Sequence, residues 1–143
     1  MPGIDDSLRE IMRQPGARGA ALVDWISGLS LGAVGEAPGK DPEAAAAEVA
    51  EVARISSEHR VFAPAGGVGG DGPAEGAAPG EPGQEPPVED VIVTTASAYH
   101  VLRFVPTAFD GSVCLHLWLD RAEGNLAMAR IRLAEVVDRL VLG

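Results

Sequence analysis

Helical and strand-like hydrophobic patterns succeed one another along this chain, with one long interruption. Over residues 4–14, Ile4, Leu8, Ile11 and Met12 recur at helical spacing. Asp5, Asp6 and Ser7 offer N-cap and first-turn chemistry, and Pro15-Gly16 stops the helix. Two short apolar runs follow, 19–26 and 29–34, on either side of Ser27-Gly28. They read as a β-hairpin, because glycine supplies the backbone freedom of a tight turn. A buried helix in the first run is the competing reading, which the glycines at 19, 28, 32 and 35 disfavour. After a turn at 38–41, Asp41 and Pro42 open a second helix as N-cap and first helical residue. On it Ala45, Val49, Val52, Ser56 and His59 share one face, and Ala46, Ala50, Ala53 and Ser57 lie beside it. Side chains this small permit close approach to something flat: a sheet, a copy of the same helix, or both.

The pattern then lapses over 63–88, which hold eight of the 18 glycines and six of the 11 prolines and no Lys or Arg. Such a segment offers too little apolar surface to offset its chain entropy, and it reads as a disordered loop inside a single domain spanning 1–143. Order returns at 89. EDVIVTTAS is a β-branched strand. In AYHVLRFVP, His100, Leu102 and Phe104 point one way and Tyr99, Val101, Arg103 and Val105 the other, and Pro106 ends the run. TAFDG turns the chain into a further strand. There Val113, Leu115, Leu117 and Leu119 face one side and Cys114, His116 and Trp118 the other. The last segment, 122–142, is an amphipathic helix with Leu126, Ala129, Leu133, Val136 and Leu140 on one face and a favourable Glu135–Arg139 pair outside. The fold class that follows is α/β (α+β): a five-stranded, mainly antiparallel sheet flanked by helices, in the order α-β-β-α-β-β-β-α.

Composition narrows the function. Of 143 residues, 46% are hydrophobic but only 4% aromatic, so the core must be aliphatic and Trp25 and Trp118 are expected to be buried in it. The formal net charge of -10 disfavours nucleic acid as a partner. The N-terminus carries early acids and no apolar run, and no stretch approaches a membrane span, so insertion into a membrane is not expected. The single cysteine, Cys114, forms no internal disulfide, and a reducing cytoplasm is the simplest setting.

The motifs that suggest chemistry are weak. Gly67-Val68-Gly69-Gly70-Asp71-Gly72 fits GxGxxG, but no helix follows to present amides to a phosphate. Lys40 follows Gly39 without the Ser or Thr and the glycine spacing of a phosphate loop. Cys114, His116 and His100 fall on one sheet face, where a metal site or a Cys–His nucleophile is imaginable. No HxxxH, CxxC or carboxylate cluster supports the metal, and no third group supports the nucleophile. The expectation is therefore no catalytic residue, no metal and no cofactor.

The phrase Gly16-Ala17-Arg18-Gly19-Ala20-Ala21-Leu22-Val23-Asp24, the turn Ser27-Gly28-Leu29, a central Ala-rich helix over 42–61, the strand pair 90–105 and the strand-plus-helix 112–141 together resemble the roadblock family of dynein light-chain-type domains, in its bacterial, actinobacterial-like branch. The likeness covers everything but the 63–88 loop, which is longer than is usual in the family, and the opening is shorter and more acidic. The resemblance implies a profilin-like, non-catalytic domain that forms homodimers or heterodimers by pairing its central helices and joining sheets edge to edge. Ala46, Val49, Ala50, Ala53 and Ser57 are the expected interface. It further implies a small Ras-like GTPase as partner, regulated or scaffolded by the dimer. Two alternatives stand beside it: a scaffold that binds a sensor kinase or another protein independently of nucleotide, and a small-molecule sensor or Cys/His enzyme.

Overall fold

The computed structural model describes residues 3–62, 88–106 and 112–142. The 63–88 loop (apart from Val88), the GxGxxG match within it and the 107–111 turn lie outside the described residues. The elements run α1 (Ile4–Ile11), β1 (Ala17–Asp24), β2 (Leu29–Gly35), α2 (Pro42–Glu58), β3 (Asp90–Thr94), β4 (Ala98–Val105), β5 (Val113–Asp120) and α3 (Leu126–Leu142). Short 3-10 turns at Pro38–Lys40 and Arg60–Phe62 flank α2. The strands form one antiparallel sheet in the order β2-β1-β5-β4-β3. The expected fold class and element order are both observed.

Sheet pairing explains the layers. Strand alternation turns Leu115, Leu117 and Leu119 of β5, Val101 and Val105 of β4 and Ala20 and Leu22 of β1 to one side, where they meet Leu8 and Ile11 of α1 and Ala129, Leu133, Val136 and Val137 of α3. The other side carries Val23, Trp25, Leu102, Phe104 and Cys114, packed against Ala46, Ala50 and Ala53 of α2. Trp25 is buried, as expected, with its ring edge-on to Phe104 at 6.1 Å between centroids. Trp118 is only half-buried, with the Arg18 guanidinium 4.0 Å from its ring centre.

Several local expectations change. The α1 N-cap is Gly3 with no side-chain cap, and Ser7 is buried beneath the helix, so only Asp5 and Asp6 act at this terminus, as first-turn acids. The last helix starts at Leu126 rather than 122. Asp120 Oδ2 holds the preceding turn by accepting from the Glu123 amide at 2.9 Å, and Asn125 Oδ1 then caps α3 by accepting from the Met128 amide at 3.0 Å. Glu135 pairs with Arg132 at 3.2 Å, not with Arg139, whose guanidinium reaches across to Glu10 of α1. Tertiary contact has replaced the i,i+4 pair.

Gly19 marks the tightest backbone approach. A β-carbon there would sit 1.9 Å from the carbonyl oxygen of Glu36, where the chain leaving β2 bonds back to β1 through Glu36 N–H donating to Arg18 O at 2.9 Å. That neighbour is backbone and cannot rotate away. Gly19→Ala is expected to destabilise the fold by about 2–4 kcal/mol in urea denaturation. Gly3→Ala, with nothing within 4 Å, is expected to lie near wild type. Equal stability of the two variants would contradict this packing.

Candidate functional site

Helix α2 begins sharply because Asp41 Oδ1 accepts from the amides of Glu43 (3.2 Å) and Ala44 (3.1 Å), and Pro42 needs no hydrogen-bond acceptor at the first position. Its alanines favour the helix and let it sit close on β1 and β2. The residues expected at a dimer interface separate here. Ala46, Ala50, Ala53 and Ser57 are buried within the chain, the three alanines against its own sheet, while Val49 is half-buried at the helix flank. The small stripe therefore holds α2 to its own domain. What α2 turns outward is the neighbouring stripe Ala45, Val49, Val52, Ile55 and Ser56, in which Val52 is 37% and Ile55 56% exposed. Ser57 Oγ is buried and has no hydrogen-bond partner among the described residues. Removing it in Ser57→Ala is expected to raise stability by about 1 kcal/mol, read as a higher denaturation midpoint. A loss of stability would mean that the hydroxyl is satisfied.

On the same side of the sheet as α2, the register sets His100 opposite both Val93 and Trp118. Val93 is 42% exposed and His100 and Trp118 are half-buried, so this end of β3, β4 and β5 is open. The side chains are ordered into a ladder. The His100 ring stacks on His116 (5.2 Å between centroids, 16° between planes) and on Trp118 (6.0 Å, 12°). The Arg18 guanidinium lies 4.0 Å from the Trp118 ring centre, while its NH2 bonds Glu36 at 3.2 Å. His100 Nδ1 and His116 Nε2 are 3.0 Å apart, so one nitrogen donates and the other accepts. β3, with no strand beyond it, closes this side of the sheet as a free edge among the described residues.

Burial sets the chemistry of these groups. The His116 pKa is pushed down to about 4 by burial first and by the nearness of His100 second, and burial lowers that of His100 as well. Both imidazoles are therefore neutral at pH 7. Burial, reinforced by the charge of Asp24, pushes the Cys114 thiol up to about 12. A fully buried thiol held in that form is not an activated nucleophile, and Cys114 packs as a small apolar side chain beside Phe104 and Val23. Among the described residues no group of three His, Cys, Asp or Glu could hold a metal ion. The cavity beside His116 and Trp118, bounded by Gly35, Pro38 and Ala45, measures about 50 Å³. That is small beside the several hundred Å³ of a typical cofactor site. No helix among the described residues is long and apolar enough to cross a membrane.

The sign of the His116 shift makes stability depend on pH. The unfolded imidazole titrates near 6.5 and the folded one near 4. Below pH 6.5 the unfolded chain therefore binds a proton that the folded chain refuses. Stability is full above that pH, falls as pH drops toward 4, and levels off below it, a loss on the order of 3 kcal/mol. Urea unfolding between pH 7 and 4.5 is expected to show this slope, and His116→Gln to reduce it. An unchanged slope in the variant would assign the dependence to other groups.

An aliphatic sheet with α1 and α3 on one face, a close-set central helix over β1 and β2 on the other, and an open aromatic ribbon beside it define a roadblock-type fold. Solved structures bear this out. The chain matches MglB of Myxococcus xanthus over 94% of its length and 82% of that chain, with 15% identity and a TM-score of 0.67. It matches a Roadblock/LC7 domain from Streptomyces avermitilis over 97% and 95%, with 21% identity and a TM-score of 0.60. Gliding protein MglB from Thermus thermophilus gives 99% and 91%, 17% identity and 0.65. A further MglB structure is described as a tetrameric arrangement. No family model matches the sequence, and no curated protein matches it.

Proposed function

We propose that this chain is a non-catalytic protein-interaction module that self-associates and, as an assembly, regulates or scaffolds a small Ras-like GTPase. One observation carries the reading: on a roadblock-type fold, the exposed apolar stripe of α2 and the open end of the sheet at Val93, His100 and Trp118 lie on the same side. Val52 and Ile55 of that stripe are exposed, with the exposed carboxylates of Glu48 and Glu51 at its border. The close seat provided by Ala46, Ala50, Ala53 and Ser57 keeps the stripe low against the sheet. A second copy is the occupant that suits it. The stripe is self-complementary when run antiparallel about Val52, which sets Val49 opposite Ile55 and Glu48 opposite Ser56. A chain of net charge -10 can meet its own copy only where carboxylates are sparse. The free β3 edge lies on the same side and offers backbone pairing to continue the sheet.

The GTPase partner rests on the family resemblance of the sequence, together with the fold that the chain shares with the MglB structures. No phosphate loop is legible in the chain, so nucleotide would be bound by the partner. Sedimentation equilibrium of the full chain is expected to show a dimer, and Val52→Asp with Ile55→Asp to give a folded monomer. Pull-down of tagged protein from native lysate with GDP and with a non-hydrolysable GTP analogue is expected to enrich a small GTPase in one nucleotide state. A partner set indifferent to nucleotide would leave the scaffold role and remove the regulatory one. A monomer at all concentrations would remove both.

A further inference from the structure

The ladder on the open face contains a feature that a plain hydrophobic interface does not need. His100 and His116 touch nitrogen to nitrogen at 3.0 Å, with His116 buried and His100 half-buried above it. We propose that self-association of this chain is proton-linked through His100 and His116: the second copy covers the imidazole pair, and the assembly loosens as the pair takes up a proton. The inference rests on the self-association reading above.

The surroundings of the pair decide the sign. From β1, Arg18 reaches over Trp118 and adds positive charge, already bonded to Glu36, which follows β2. Asp24, at the far end of β1, acts on Cys114 rather than on the histidines. From β3, Val91 and Val93 face this side, while Asp90 is turned to the other, where it binds Arg103 and Arg130. At the end of β5, Asp120 accepts from the Glu123 amide. The residues that α2 turns onto the sheet are Ala46, Ala50, Ala53 and Ser57, none of them charged, and its flank adds Ala45 and Val49. Among the described residues, therefore, no carboxylate is placed opposite the pair to hold an imidazolium. In the separated chain, water solvates a cation on half-buried His100. Under a second copy that water is removed and nothing replaces it. The free chain then binds protons more readily than the assembly, so acid favours dissociation through the imidazole range.

The test is sedimentation equilibrium of the full chain at pH 7.5 and pH 5.5, with far-ultraviolet circular dichroism confirming the fold at each. Wild type is expected to show a dissociation constant about tenfold larger at pH 5.5, as would follow from shifting two imidazoles by roughly half a unit each. His100→Phe, which keeps a ring for stacking and cannot titrate, is expected to dimerise equally at both pH values. The same result should hold for His100→Gln if the larger ring disturbs folding. Independently, the ring-proton resonance of His100 in wild type should titrate at lower pH in concentrated than in dilute protein. A wild-type dimer indifferent to pH, or one that weakens equally in wild type and in the His100 variants, overturns proton linkage and leaves the dimer standing. A monomer at both pH values overturns the dimer and this inference with it.

Discussion

Everything in this molecule hangs on the pairing of β1 with β5. β1 precedes the long Gly/Pro-rich segment and β5 follows it, yet Ala20 lies opposite Leu117 and Leu22 opposite Leu115 in continuous antiparallel register. The hairpin of β1 and β2 cannot bury its apolar faces alone, and neither can β3, β4 and β5. Joined through β5, they make one sheet with two usable faces. The chain between them adds closure entropy that grows only slowly with length, so a long interruption is compatible with a single core.

The two faces are treated differently. On one, α1 and α3 lie over leucine-rich strands and cover them with large side chains such as Leu8, Ile11 and Leu133. On the other, a single helix of small residues covers β1 and β2. It leaves the far end of β4 and β5 open beside the free β3 edge. This asymmetry is what leaves one side of the sheet partly uncovered. The face that α2 leaves open is neutral and aromatic rather than charged, in a chain that is otherwise strongly acidic.

The same packing removes chemistry from the residues that invited it. Cys114 and His116 stand two apart on one strand face, a spacing that leaves room for a metal or a nucleophilic pair. Their environment decides otherwise: Cys114 is closed in by Phe104 and Val23, and His116 spends its outward nitrogen on His100. What remains is a ladder of His116, His100, Trp118 and Arg18 on the open end of the sheet.

Local rules in the chain were enough for the elements and their order. Alternation in 98–105 and 113–120 assigned each side chain to its sheet face, Ser27-Gly28 placed the hairpin, and Asp41-Pro42 placed the start of α2, because strand period and helix capping act within a few residues. Strand order, and with it the open end of the sheet, depended on which strands pair across the long segment, which no local pattern records. The orientation of α2 was equally undetermined. Its two adjacent stripes, Ala46-Ala50-Ala53-Ser57 and Ala45-Val49-Val52-Ser56, are both small and apolar. Only the closeness that the sheet surface demands chose the alanines for the inside and left the valines out. Trp25 and Trp118 are the same residue type, one just past the end of β1 and the other inside β5. One is buried against Phe104 and the alanines of α2, while the other is half-open beside Arg18.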